Sequence, residues 1–406
     1  MLSWALVVLP RTVQSLTAPK FRTTIGVEAA PYGVLAQLAE RGLSGSLALV
    51  CVAAVLLSAR RLSLRALPLL AVLIAPWVVT VVRDAYAGTT PGTTAALYPL
   101  VAAALWAARP HLRVLAVVGH LTGATAALAV AMGALVPAAG VYRSAAGDLI
   151  SPDKQILPLG LLIGPFTDSN NLGQLLVVGA PALLAVRRSR AALAWLAVVL
   201  AALVWSSSRS SLVAAAGAGA VVAVVALART SGVRALLASL GGATALATVS
   251  LVPLLTVASA TTGAARASTA DLAFTNRGYV WRLSLEAFSQ RPLTGWGSDW
   301  YADVARYANP LGGFAYHGHN QLVQQLVTTG VLGTAALVVL ALTGLGMART
   351  WAARGGRVGL APLGHLVALC LSCTFEVSFG VVDRSFLLPV AVAPLAVALL
   401  ARREPR

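Results

Sequence analysis

The chain has 406 residues, 58% hydrophobic and 11% charged, against roughly 45–50% apolar and about 25% charged in ordinary soluble domains. So few charges cannot cover a water-facing surface, which excludes a soluble enzyme, whereas a bilayer asks for none along the spanning part of each helix. The formal charge of +17, from 30 Lys+Arg against 13 Asp+Glu, would suggest a nucleic-acid partner in a soluble chain; in a membrane protein orientation accounts for most of it, and no nucleic acid is expected.

The opening MLSWALVVLP is too short to span and lacks a charged n-region or a small-residue cleavage site, so no signal peptide is read there. Residues 1–42 read as a truncated helix or one lying along the interface. Runs of about 20 apolar residues mark spanning helices. Eleven such runs follow, near 43–59, 66–82, 93–108, 114–139, 172–186, 191–206, 211–228, 235–258, 322–347, 359–377 and 385–401. They predict an all-α polytopic membrane bundle of 11–12 transmembrane helices. Transmembrane helices thus fill 43–258 and 321–401, on either side of a large loop at 259–320.

Arg-rich connections fall at every second junction: Arg60, Arg61 and Arg65; Arg109 and Arg113; Arg187, Arg188 and Arg190; Arg229 and Arg234; Arg349, Arg354 and Arg357; and the tail 402–406. The positive-inside rule assigns that side to the cytoplasm. The opposite side receives a short turn at Arg83 and Asp84, a segment near 140–171, and the loop 259–320. Loops of that length in compact folds tend to be functional, so chemistry is expected there, outside the cell membrane. Its Trp281, Trp296, Trp300, Tyr279, Tyr301, Tyr307 and Tyr316 suit an aromatic belt at headgroup level. From Arg277 to Ser289, the apolar Val280, Leu283, Ala287 and Phe288 recur at helical spacing, predicting an amphipathic helix that Pro292 and Gly295 break. Arg282 and Glu286, four apart, form an ordinary helix-surface pair.

Of five histidines, His111 falls in an Arg-rich turn, and His120 and His365 lie within apolar runs where hydrogen-bonded packing is at least as good a reading as function. His317 and His319 differ, because they flank Gly318 where the long loop re-enters the membrane, directly before Asn320, Gln321, Gln324 and Gln325. An imidazole with pKa near 6.5 can take a proton from a hydroxyl at working pH. Gly330 and Gly333, three apart in the helix that follows, are expected to permit close helix contact.

Arginines on the outer side are the second signal, since the positive-inside rule disfavours them there. Arg209, Arg277, Arg282, Arg291, Arg306, Arg143 and Arg384 are all expected outside. Guanidinium forks match phosphate oxygens bidentately, so two or three would clamp a diphosphate. The competing reading pairs them with Asp168, Asp271, Glu286, Asp299, Asp303 or Asp383. Arg209 has no acidic residue within thirty positions on either side, which at a membrane boundary points to function. In FTDSNNLG, residues 166–173, Asn170 or Asn171 is expected to cap a helix, or its amide to bind sugar hydroxyls. Cys370 and Cys373 form a C-x-x-C inside an apolar run, more consistent with packing than with redox or zinc chemistry. No phosphate-binding glycine loop, D-x-D, H-E-x-x-H or paired His/Cys set is present, so no cofactor and no metal are expected. The energy must arrive with the substrate.

These residues resemble the O-antigen ligase and polymerase superfamily of polytopic glycosyltransferases. FTDSNNLG resembles its Asn-Leu-Gly element, and SRSSLVA at 208–214 its serine-arginine element. Arg277 and Trp281, followed by PLTGWG at 292–297, resemble its R-x-x-x-W and P-L-x-G-x-G stretch. His319 and Asn320 with Gly330 and Gly333 resemble its H-N-x9-G-x-x-G signature. The resemblance covers residues 166–333 and implies transfer of a glycan from an undecaprenyl-diphosphate carrier to an acceptor hydroxyl on a glycan, lipid or protein, without metal or nucleotide sugar. It makes His319 the base that deprotonates or orients the acceptor, and Arg209 and Arg277 the clamp on the diphosphate; His317, Asn320, Asn171 and Trp281 are expected as further substrate contacts. The motifs do not separate ligases from polymerases. A transporter or flippase of an anionic lipid or solute, along an arginine-lined path, is the alternative; a noncatalytic scaffold in polysaccharide export is a third reading.

Overall fold

The structure, a computed structural model, describes residues 1–17, 21–22, 33–58, 66–90, 92–144, 154–261, 277–301, 317–379 and 388–402. It is an all-α bundle. In chain order the helices are α1 (Leu2–Thr17), α2 (Val34–Ser58), α3 (Leu67–Ala87), α4 (Leu97–Ala108), α5 (Leu115–Leu135), a single turn α6 (Pro137–Gly140), α7 (Ser169–Gly179), α8 (Ser189–Ser206), α9 (Arg209–Leu227), α10 (Ser231–Thr261), α11 (Arg277–Gln290), α12 (Gln321–Arg354), α13 (Arg357–Phe375) and α14 (Ala393–Leu400). A two-residue parallel ladder pairs Phe21 with Arg143 and Arg22 with Ser144.

Each of the eleven apolar runs carries helix. Among the described residues eight helices are long and apolar enough to cross a membrane: α2, α3, α5, α8, α9, α10, α12 and α13. The runs at 93–108 and 385–401 fold as shorter apolar helices. The run at 172–186 divides into α7 and a 3₁₀ stretch, Ala180–Ala185, where Pro181 has no N–H to continue an α-helical ladder. The N-terminal segment is helical too, carrying α1 and the first turns of α2. α1 packs on α2 and buries Trp4, Leu6 and Val7 in the main core, with Trp4 Nε1 donating to Thr125 Oγ1 at 2.8 Å.

α13 is the axis of the bundle, with 83% of its apolar window buried against 11–39% for the other seven long helices. It packs on α9, α10 and α12. A Cβ on Gly364 would meet the side chains of Pro181 and Val222 at 2.9 and 3.0 Å, so the missing side chain is what lets them pack against α13. His365 sits beside it, fully enclosed, with its ring nitrogens 3.1 Å from the Val178 carbonyl and 3.3 Å from that of Ala391. Cys370 and Cys373 are buried free thiols on the same helix, as packing predicts. His120 receives the Trp195 indole proton at 3.0 Å.

The expected role of Gly330 in close helix contact is not what the fold shows. Gly330 adopts φ 64°, ψ −159° and breaks α12, a conformation that costs an L-residue dearly. Into the break docks the segment 292–297 by four main-chain bonds: Val331 N to Pro292 O (2.8 Å), Leu332 N to Leu293 O (3.2 Å), Trp296 N to Val327 O (2.7 Å) and Gly297 N to Thr328 O (2.8 Å). Arg83 and Asp84, expected in a short outer turn, instead lie buried at the end of α3 and fasten the other side of this segment. Arg83 Nε and an Nη donate to Gly295 O at 3.0 and 2.8 Å. Asp84 accepts from the Ser298 amide and hydroxyl at 2.7 and 2.8 Å.

Candidate functional site

The site is built at the end of α13. That helix stops at Phe375, and Glu376 follows in extended backbone (φ −148°, ψ 163°). Glu376 is 3% exposed, and an isolated carboxylate so placed would be severely disfavoured. Two donors stabilise its Oε1: an Nη of Arg277 at 2.8 Å and Nδ2 of Asn170 at 3.2 Å. The second Nη of Arg277 donates to the Phe375 carbonyl at 2.6 Å, so one guanidinium both pairs with the carboxylate and satisfies an orphan carbonyl at the helix C-terminus. The partner of Arg277 is thus Glu376, which is not among the acids expected to pair with the outer arginines. Of those six, Asp271, Asp303 and Asp383 lie outside the described residues, as do Arg306 and Arg384.

Oε2 of Glu376 faces two imidazoles, with His319 Nδ1 at 3.6 Å and His317 Nε2 at 3.9 Å. The two rings lie 4.0 Å apart, tilted by 45°. His319 has φ +45°, an unusual left-handed conformation for a side-chain-bearing residue that the surroundings must impose. They do so from several sides. Trp281 Nε1 donates to Gly318 O at 2.8 Å, the Gly318 amide donates to Gln324 Oε1 at 2.7 Å, and the His319 amide donates to His317 Nδ1 at 3.1 Å. A Cβ on Gly318 would sit 2.7 Å from the Tyr301 hydroxyl. Burial pushes the Tyr301 phenol well above its usual range, the Ser284 hydroxyl opposing only in part. Tyr301 therefore stays a neutral hydroxyl, 2.9 Å from Ser284 Oγ.

Because His317 Nδ1 accepts a bond, its neutral ring carries the proton on Nε2, toward Glu376. His319 Nδ1 is enclosed with no hydrogen-bond partner and faces the carboxylate, while the side chain as a whole is 24% exposed. A carboxylate on the Nδ1 side of an imidazole favours the tautomer protonated there and leaves Nε2 as the ring nitrogen with a free lone pair.

Several expected substrate contacts turn out to be the frame instead. Asn320 is fully buried: its Oδ1 caps α12 by accepting from Val323 N at 3.0 Å, and its Nδ2 donates to Val249 O and Thr374 O at 2.8 and 3.0 Å. Trp281 is also fully enclosed, so it holds Gly318 rather than offering a face to a sugar. Gln321 exchanges two bonds with the Phe379 backbone, at 3.1 and 2.8 Å, pinning the stretch after Glu376. In FTDSNNLG the cap is Asp168, which accepts from Asn170 N at 2.7 Å, and neither asparagine. The amide that reaches Glu376 is that of Asn170, one residue before the expected Asn171.

Asn170 also joins the serine-arginine element. Its Oδ1 accepts from Ser208 Oγ at 3.0 Å, and a Cβ on Gly173 would sit 2.8 Å from that of Ser208, so α7 seats directly against the start of α9. Arg209 is the first residue of α9 and is exposed. Hence Ser208, Asn170, Glu376, Arg277, His317 and His319 form one connected cluster. α11 follows its expected stripe: Val280 and Ala287 are buried with Trp300, Tyr301 and Val327, and Leu283, Phe288 and Trp296 pack against them. These aromatics form a core for the loop rather than an exposed belt; Tyr307 and Tyr316 lie outside the described residues. The Arg282–Glu286 pair is present, at 4.0 Å on the surface.

His317, His319 and Glu376 each place a ligand atom within 4.8 Å of the others, close enough to share one divalent cation. The sequence shows no such set because the third ligand arrives from beyond the end of α13, far along the chain. Glu376 was the residue sequence reasoning missed. It ends an apolar run like any interfacial carboxylate, and only its enclosure by Arg277 and Asn170 marks it.

Residues 175–338 match the family model described as O-antigen ligase. That stretch contains Arg209, Arg277, Trp281, His317, His319 and Asn320; Asn170 lies just before it and Glu376 beyond it. No curated protein matches the chain.

Proposed function

We propose, from membership of the O-antigen ligase superfamily, which the match over residues 175–338 supports, that this multi-pass membrane protein is a glycosyltransferase moving a glycan from undecaprenyl diphosphate to an acceptor hydroxyl. The observation that carries the reading is the Glu376–His319 arrangement, with an enclosed Nδ1 3.6 Å from a buried carboxylate. Glu376 acts as a positioning residue that orients the ring and stabilises the imidazolium formed during transfer. His319 Nε2 takes the acceptor proton, the acceptor oxygen bonds to the anomeric carbon, and the bond from that carbon to the diphosphate oxygen breaks with its electron pair leaving on undecaprenyl diphosphate. A single displacement inverts the anomeric centre. Arg209, exposed beside the cluster, and Arg277 supply guanidinium charge to the diphosphate, which gains negative charge as it leaves, so they stabilise the transition state more than the ground state. The donor tail lies among the helices, and the site opens on the extracytoplasmic side of the cell membrane, opposite the Arg-rich connections.

Purified protein given undecaprenyl-diphosphate oligosaccharide, an acceptor glycan or lipid, and a chelator is expected to release undecaprenyl diphosphate and form one new glycosidic bond per release. Movement of the lipid across a vesicle bilayer with no bond formed would assign the alternative transport function instead. In cells, single repeats left on the carrier after deletion identify a polymerase, and long unattached chains a ligase.

A further inference from the structure

The bundle carries a second cation-rich feature far from His319. α12 is capped by Asn320 at the site and ends at Arg354; α13 starts at Arg357 and ends beside Glu376. With a rise of about 1.5 Å per residue, the Arg354–Arg357 end lies tens of ångströms from the candidate site. Here a cavity of about 760 Å³ is lined by Arg113, Arg234, Arg354 and Arg402, with Trp351 and Gly355. The four arginines come from four places: the turn before α5, the start of α10, the end of α12 and the chain after α14. Among the described residues, no acidic side chain lines the space.

Membrane topology asks for arginines on one side, but not that they converge on one cavity. Arg234, Arg354 and Arg402 are held by backbone carbonyls and a ring. Arg234 donates to the Ala353 carbonyl at 3.2 Å while its Nε is enclosed with no hydrogen-bond partner. The Arg402 amide donates to Pro110 O at 3.2 Å, and its side chain reaches Ala108 O at 3.5 Å. Arg354 stacks on the Trp351 ring at 4.6 Å, and Gly355 passes so close to Arg234 that a Cβ would lie 3.1 Å from its Cζ. Backbone carbonyls and an aromatic face thus fix the guanidiniums, whose fork geometry suits phosphate oxygens.

We infer that this cavity binds a phosphate group, carried by an anionic lipid headgroup or free in solution, at the membrane face opposite the transferase site. A basic pocket between helices at the bilayer edge is the setting in which phosphate headgroups are held, and the volume falls within that of small-ligand sites.

Full-length protein in detergent, offered phosphatidylglycerol or phosphatidylcholine and read by native mass spectrometry, is expected to retain the anionic lipid about tenfold or more over the zwitterionic one, as loss of a charge-assisted contact scales. The Arg234→Gln, Arg402→Gln double variant loses that preference, while Arg190→Gln, exposed on the same Arg-rich side but outside the cavity, keeps it. Inorganic pyrophosphate that displaces the lipid shows that the free anion suffices; retention against millimolar pyrophosphate assigns the lipid form. If the double variant does not fold, Arg402→Gln alone, near the end of the chain, carries the comparison. Equal retention of both lipids together with no pyrophosphate binding, or an equal loss in Arg190→Gln, overturns the inference.

Discussion

Replacing Glu376 by Gln removes one charge and almost no volume, so it tests the positioning role directly. The amide oxygen can still accept from Arg277 and Asn170, which hold the present Oε1 at 2.8 and 3.2 Å. The amide nitrogen then occupies the place of Oε2, 3.6 Å from His319 Nδ1, and presents a donor where there had been an acceptor. His319 responds by accepting at Nδ1 and carrying its proton on Nε2, so the nitrogen meant to take the acceptor proton is already protonated. Misassigned tautomers of this kind cost a catalytic His–carboxylate pair about 10⁴-fold in the best-studied protease. A loss of about 10²–10⁴-fold is expected here, or about 2.7–5.4 kcal/mol at 1.36 kcal/mol per tenfold. Folding should survive, because Arg277 keeps an acceptor; Glu376→Ala, in contrast, strands a mostly enclosed guanidinium at about 3–5 kcal/mol. The assay is single-turnover release of undecaprenyl diphosphate alongside an independent donor-binding measurement. Turnover in Glu376→Gln within twofold of wild type, or a loss confined to donor affinity, would refute the reasoning.

Other expectations follow from the same geometry. His319→Ala should abolish transfer while leaving the thermal melt and donor binding nearly unchanged; substantial turnover in that variant removes the base assignment. Arg209→Ala should weaken donor use by about 1–3 kcal/mol, the range of a lost charge-assisted bond, and Arg209→Lys should recover little of it because the planar fork is absent; full rescue by Lys would argue for a point-charge role. Gly330→Ala places a Cβ on a residue with φ +64° against the Leu293 carbonyl, and should lower the melting temperature and loosen the segment 292–297, seen as faster amide exchange at Val331 and Gly297. An unchanged exchange pattern would mean that the break does not hold the loop.

Helix placement was legible in the sequence because bilayer burial requires an uninterrupted apolar run, a property any window of about 20 residues reveals. The amphipathic α11 was equally legible, since its apolar residues recur at helical spacing, and so was the HGH turn, whose two imidazoles beside amides are unusual in a chain this poor in polar groups. The motifs are one-dimensional and survive being read in order. What each polar residue in them does is another matter. Asn320, Trp281 and Asn170 are chemically able either to touch a sugar or to hold the backbone, and only enclosure distinguishes the two: Asn320 and Trp281 lie sealed inside, and Asn170 spans Ser208 and Glu376. Gly330 is read as a helix-contact glycine from spacing alone, because φ is not written in composition. Glu376 was beyond any local reading, as an acid at the end of an apolar helix has no distinguishing neighbour until α11 and the turn at 317–319 fold against it. The sequence by itself therefore determined which segments enter the membrane and which carry candidate chemistry, and the tertiary structure alone decided which charges meet, because pairing depends on distances of a few ångströms between residues that the chain keeps far apart.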